Sequence, residues 1–162
     1  MKYTDTQIGF QEFPNEISLL INISNCPFRC SGCHSPELWK DVGEILDCRE
    51  LHKLIEKNKG ITLIGFMGGV PELISELAEF VKACNLKVGW YWGGLEIPIE
   101  SINLKNFDYI KVGPYIKERG PLNNPNTNQK MYEIVEMKDE YGSKFYETKN
   151  ITHKFWDNGN IN

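Results

Sequence analysis

The run Ile61-Thr62-Leu63-Ile64-Gly65-Phe66-Met67-Gly68-Gly69-Val70-Pro71 carries the clearest architectural signal in the chain. Its first half is short, apolar and rich in Ile and Leu, which suits a strand buried on both faces. Gly68-Gly69 then permits a backbone bend. Pro71 stands where a helix can begin, because the missing proline N–H costs nothing in a first turn. Beyond it Leu73, Ile74, Leu77, Phe80, Val81 and Cys84 recur at helical spacing and form one apolar stripe. A strand that feeds a helix through a glycine bend is half of a βαβ unit.

The same alternation extends in both directions. Upstream, Ile17-Ser18-Leu19-Leu20-Ile21-Asn22-Ile23 reads as a buried strand, followed by a loop with Pro27, Gly32 and Pro36. Asp47 with Glu50 three residues on has the pattern of a capping box. The helix behind it places Leu51, Leu54 and Ile55 on one face and ends at Gly60. Downstream, Leu86-Lys87-Val88-Gly89-Trp90-Tyr91-Trp92 reads as a strand closed by Gly93-Gly94. A helical or irregular piece follows over residues 99–106. Tyr109-Ile110-Lys111-Val112 forms another strand, ended by Gly113-Pro114. Residues 120–129, rich in Asn, Pro and Thr, read as loop. Residues 131–137 and 144–149 read as a hairpin turning at Gly142-Ser143.

Strand–helix alternation predicts an α/β fold with a mostly parallel sheet. A closed eight-fold barrel takes about 250 residues, and this chain has 162. The expectation is therefore one domain over residues 1–162, an open partial (β/α) barrel of roughly five or six strands with a small C-terminal hairpin. Function is expected at the C-terminal strand ends, where the loop after the first strand, Gly68-Gly69, Gly93-Gly94 and Gly113-Pro114 all fall.

Composition narrows the function classes. The chain is 41% hydrophobic and 25% charged, near globular averages. Its net charge of −4 gives no general pull toward nucleic acid or an anionic membrane. No apolar run approaches the roughly 18 residues of a membrane span. The first residues contain no apolar segment of the secretory kind, so a cytoplasmic protein is expected.

Cysteine usage is the sharper signal. Of five cysteines, Cys26, Cys30 and Cys33 lie in one loop with the spacing Cys-x-x-x-Cys-x-x-Cys. In a reducing compartment, clustered thiols read as metal ligands or catalytic groups rather than disulfides. Pro27, Arg29, Ser31 and Gly32 make the segment a polar loop, which argues against plain buried cysteines. A zinc site with His34 as fourth ligand is one alternative. A fully ligated ferredoxin cluster is another, with Cys48 or Cys84 as the fourth thiolate. If three thiolates hold a 4Fe–4S cluster, one iron lacks a protein ligand and can bind a small molecule.

This loop after a first strand resembles that of the radical S-adenosylmethionine family. The segment Met67-Gly68-Gly69-Val70-Pro71 is similar to the family's Gly-Gly-Glu-Pro motif, with Val70 in place of the acidic residue. Gly32 before the third cysteine, and Ser35-Pro36-Glu37-Leu38-Trp39 after it, look like the branch that activates anaerobic ribonucleotide reductase. So do Tyr91-Trp92-Gly93, the run from Asp108 to Tyr115, Gly120-Pro121-Leu122 and Thr127-Asn128-Gln129. The resemblance runs in order from about Ile17 to about Tyr132, and the tail beyond is uninformative.

The resemblance implies Cys26, Cys30 and Cys33 as ligands of a 4Fe–4S cluster whose open iron is chelated by S-adenosylmethionine. It implies main-chain contacts to that cofactor from Gly68, Gly69 and Val70, with Trp92, Gly93 and Lys111 as further binding residues. It implies reductive cleavage to a 5′-deoxyadenosyl radical that generates a glycyl radical on the large subunit of anaerobic ribonucleoside-triphosphate reductase. The electron donor would be of the flavodoxin or ferredoxin type. Alternatives are another radical enzyme of the family, either a different glycyl-radical activase or one like 7-carboxy-7-deazaguanine synthase, and a non-catalytic zinc-binding module. Arg29, His34 and Asp108 are candidates for cluster, cofactor or partner contacts. Trp90 is a candidate for the nucleoside pocket. Asn128, Gln129, Cys48 and Cys84 have no derived role.

Overall fold

In the computed structural model, which describes residues 1–156, the chain forms eight strands, two α-helices and three short 3-10 turns. In order these are β1 (Lys2–Gly9), β2 (Ser18–Ile23), a turn at Pro36–Trp39, β3 (Glu44–Ile45), α1 (Cys48–Lys57), β4 (Leu63–Met67), α2 (Pro71–Ala83), β5 (Lys87–Tyr91), a turn at Leu104–Asn106, β6 (Tyr109–Val112), β7 (Lys130–Lys138), β8 (Lys144–Asn150) and a turn at Thr152–Phe155. The Asp47 carboxylate accepts from the Glu50 N–H at 2.8 Å and starts α1. Glu50 does not return the bond. Its carboxylate accepts instead from Lys53 at 2.9 Å and Tyr3 at 3.1 Å. Pro71 opens α2 as its sequence position suggests.

All strands join one sheet in the order β3-β1-β2-β4-β5-β6-β7-β8. This overturns the expected mostly parallel barrel of five or six strands. Only β2–β4, β4–β5 and β5–β6 run parallel, while β1–β2, β1–β3, β6–β7 and β7–β8 run antiparallel. The reason lies in three connections. Residues 2–9 pair back onto β2 as an edge ribbon. No helix follows β6, because residues 113–129 form a loop. The terminal hairpin continues the sheet rather than standing apart from it. The helical piece expected over residues 99–106 shrinks to the turn Leu104–Asn106.

Period-two alternation splits the strands between two faces. One face carries Leu19, Ile21, Ile64, Phe66, Val88, Trp90 and Ile110, packed under Leu51 and Leu54 of α1 and Ile74, Leu77 and Val81 of α2. The other face carries Leu20, Leu63, Tyr109 and Met131, and among the described residues no α-helix packs on it. Its cover comes from loops, chiefly Phe13, Leu122 and Ile151. Phe13 is fully buried. It lies against Gly65 and Gly89, which are partners across β4 and β5. A Cβ on Gly89 would fall 2.3 Å from that ring, and one on Gly65 2.7 Å from it. The two glycines thus form a slot, and the ring in it fixes the β1–β2 loop beneath the sheet. Tyr91 completes the anchor, donating its hydroxyl to the Glu12 carbonyl at 3.1 Å.

Candidate metal centre

The three clustered cysteines lie on the loop that leaves the C-terminal end of β2. Two backbone bonds close this loop at its base: Asn25 N–H to the Lys40 carbonyl at 3.0 Å and Cys26 N–H to the Leu38 carbonyl at 2.9 Å. Within it, Cys33 N–H donates to the Cys30 carbonyl at 3.1 Å. The Ser35 N–H points at the Cys33 sulfur, 3.4 Å away. Each thiol follows a left-handed residue: Asn25 (φ 60), Arg29 (φ 44) and Gly32 (φ 75). Left-handed backbone costs a residue bearing a Cβ about 1–2 kcal/mol, so the loop holds an unfavourable shape at two of these positions. Such strain clusters at functional sites. All three thiols are free and partly exposed.

The other two cysteines are remote. Cys84 closes α2 just before β5, whose first residue, Lys87, pairs with Leu63 at the start of β4. The cysteine loop begins where Asn22 pairs with Met67 at the far end of β4. Cys48 packs with the helix-side core. Burial pushes its thiol up, followed by the charges of Glu76 and Asp47, with Cys84 also near. Cys84 is thus at the opposite strand ends from the loop, and the Cys48 side chain is engaged in the core rather than in the loop.

The glycine bend sits beside this loop. Gly68 (φ 108) and Gly69 (φ 92) are both left-handed. The Gly68 N–H donates to the Tyr91 carbonyl at 3.1 Å, and its own carbonyl accepts from the Trp90 indole at 2.8 Å. The Val70 carbonyl accepts from Ile74 N–H in the first turn of α2. Trp90 is fully buried on the helix side. Trp92 stacks on Trp90 (5.0 Å) and meets Phe28 edge-on at 4.7 Å. A Cβ on Gly93 would lie 2.4 Å from the Phe28 ring. Trp92 and Gly93 therefore grip the cysteine loop through Phe28.

The strand residue that faces the open side is Tyr91, which sequence reasoning did not single out. The signal was present, since alternation put Tyr91 opposite the two tryptophans. A cleft of about 730 Å³ opens there, with Met67, Tyr91, Lys111 and Gln129 as its floor, Cys33 and His34 at one end, and Phe10 and Phe155 at the other. A second hollow of about 670 Å³ lies against Cys30, between Arg29, Gly94 and Lys117.

Lys111 is buried between loop and cleft. Its ammonium donates to the Gly113 carbonyl at 2.7 Å and stands 5.6 Å from the centre of the Tyr91 ring. Burial pulls its pKa down to about 8, against the opposing pull of the Cys30 and Cys26 thiolates. Asn128 and Gln129 brace the covering loop. Asn128 donates to the Pro114 carbonyl at 2.9 Å, and Gln129 to the Gly113 carbonyl at 3.5 Å. His34 is exposed and stacks near Tyr115 at 4.7 Å. Asp108 lies outside the site. It accepts from Lys82 at 2.9 Å and from Val88 N–H at 2.8 Å, at the opposite strand ends.

Thiols gathered on a strand-end loop are the donor set of an iron–sulfur protein. The sequence model of the 4Fe-4S single cluster domain matches residues 17–119, and the chain belongs to that family. The match begins at β2 and so takes in the cysteine loop, the glycine bend and Lys111. No solved structure matches the chain. Among the described residues, no helix is long and apolar enough to cross a membrane. Nor do three His, Cys, Asp or Glu side chains converge on one point as ligands of a single ion.

Proposed function

We propose that the chain is a radical S-adenosylmethionine activase acting on anaerobic ribonucleoside-triphosphate reductase. One observation supports this above the rest: the loop offers three thiols, while Cys84 lies at the opposite strand ends and Cys48 packs against the helix-side core. A 4Fe–4S cluster held by Cys26, Cys30 and Cys33 keeps one iron for an outside ligand. When bound, it supplies one electron, taken from a flavodoxin- or ferredoxin-type donor, to split the sulfonium into methionine and a 5′-deoxyadenosyl radical. The radical then takes a hydrogen atom from a backbone glycine of the large reductase subunit, leaving 5′-deoxyadenosine and a glycyl radical.

The residues around the loop suit that role. The cleft beside Cys33 has the volume of a small-molecule site. Gly68, Gly69 and Val70, the main-chain contacts of this reading, directly follow Met67 of the cleft floor, and Lys111 offers a cation on that floor. Trp92 and Gly93 contribute by holding the cysteine loop. The face on which no described α-helix packs leaves the cleft open, so a loop of the large subunit can close it and exclude water. Residues 1–162 act as one domain in the cytoplasm on this reading.

The test is anaerobic reconstitution with iron and sulfide, then dithionite and S-adenosylmethionine. The expected results are about four irons per chain, 5′-deoxyadenosine formation, and a glycyl signal by electron paramagnetic resonance once the reductase is added. An iron-loaded protein that forms no 5′-deoxyadenosine refutes the activity. One zinc per chain and no iron refutes the cluster.

A further inference from the structure

Two charged side chains are buried among the described residues, Glu16 and Lys111. Glu16 pairs with Lys87 and also accepts from the Thr62 hydroxyl at 2.7 Å. Lys111 has no such partner: no described carboxylate lies within ion-pair distance of it. A buried cation without a counter-charge is costly. The chain nevertheless fixes this one in place, through the Gly113 carbonyl that Gln129 also braces. Lys111 lines the same cleft as Cys33 of the cysteine loop.

We propose that Lys111 is a positioning residue for charge at the iron–sulfur centre: its ammonium, pinned between the cysteine loop and the cleft floor, is the counter-charge that stabilises the reduced cluster. This rests on the cluster held by Cys26, Cys30 and Cys33, and not on which molecule the cluster serves. One-electron reduction, by a donor of the flavodoxin or ferredoxin class, adds one negative charge and breaks no bond. A cation fixed nearby, away from water, lowers the energy of the more negative state further than that of the other. It therefore raises the reduction potential.

The test compares full-length wild-type protein with Lys111→Met and Lys111→Arg after anaerobic reconstitution. Each is poised with redox mediators and read by visible absorption and electron paramagnetic resonance. At the wild-type midpoint, Lys111→Met should hold at least tenfold less reduced relative to oxidised cluster, a shift of about 59 mV to more negative potential. Lys111→Arg should stay near wild type. In the metal-free state, Lys111→Met should melt above wild type, since it sheds an uncompensated charge. Equal potentials at equal iron content overturn the proposal, as does a change confined to the affinity for an added carboxylate ligand. If Lys111→Met loads no iron, Lys111→Gln, which keeps a donor for Gly113, carries the same comparison. A wild-type protein that binds no cluster overturns the iron–sulfur reading along with this one, so the two failures are told apart.

Discussion

Substituting Gly69 by alanine should destabilise the fold through two separable effects. Gly69 has φ 92, a conformation that costs a residue with a Cβ about 1–2 kcal/mol. Its new methyl would also lie 2.7 Å from Ile74 Cδ1 and 2.8 Å from Ile74 Cγ1. Ile74 is fully buried and β-branched, so it has little room to turn aside. Overpacking of this kind adds about 1–3 kcal/mol. The total is roughly 2–5 kcal/mol. At about 2–4 °C per kcal/mol for a chain of this size, Tm falls by roughly 4–20 °C. Two other glycines isolate the terms. Gly60 has φ 89 with nothing within 4 Å of its Cβ position. Gly68 has φ 108 and meets the Ile23 carbonyl oxygen only at 3.6 Å. Gly60→Ala and Gly68→Ala should therefore show the backbone cost alone. Thermal and urea melts of the metal-free proteins, followed by circular dichroism, give the comparison. A Gly69→Ala protein no less stable than Gly60→Ala would refute the packing argument.

Alanine at Cys26, Cys30 or Cys33 should each abolish the brown chromophore and sharply lower iron per chain, while Cys48→Ala and Cys84→Ala keep both; iron analysis after reconstitution checks this. Phe13→Ala should cost about 3–5 kcal/mol in urea unfolding, because the ring filling the Gly65–Gly89 slot leaves a cavity. The Tyr3 hydroxyl donates to Glu44 and Glu50, and burial, then the Glu50 interaction, push its pKa up to about 12. An unfolded tyrosine ionises near 10. The folded state thus keeps its proton longer, and Tyr3 contributes stability that is full below pH 10 and lost as pH rises toward about 12. Tyr3→Phe should make the alkaline fall in Tm shallower across that window.

The local chemistry of the site was readable from sequence because it is written in short patterns. Cys26, Cys30 and Cys33 share a loop, Gly68-Gly69 bends the chain, and Asp47 and Pro71 start helices by mechanisms that act within one turn. The sheet was misread where pairing partners are distant. Lys2 to Gly9 mixes polar and apolar residues on an edge ribbon, and only the antiparallel pairing with β2 makes it a strand. Phe13 is one aromatic in a polar loop, and its role depends on Gly65 and Gly89 meeting across two strands. Trp90 and Trp92 share a face by period-two alternation, yet which face looks onto the cleft is set by where the helices pack, so Trp90, a nucleoside-pocket candidate by sequence, is buried on the helix side instead. Lys111 carried no sequence sign that it would be buried without a carboxylate.

The reversed curl of the chain ahead of each sulfur makes mutational tolerance in this loop uneven. Pro27, Phe28 and Ser31 sit in ordinary torsions and are constrained by neighbours alone. Positions 25, 29 and 32 instead demand a torsion that valine, isoleucine and threonine resist, so a conservative-looking swap one step before a thiol would misdirect it while leaving every cysteine in the sequence.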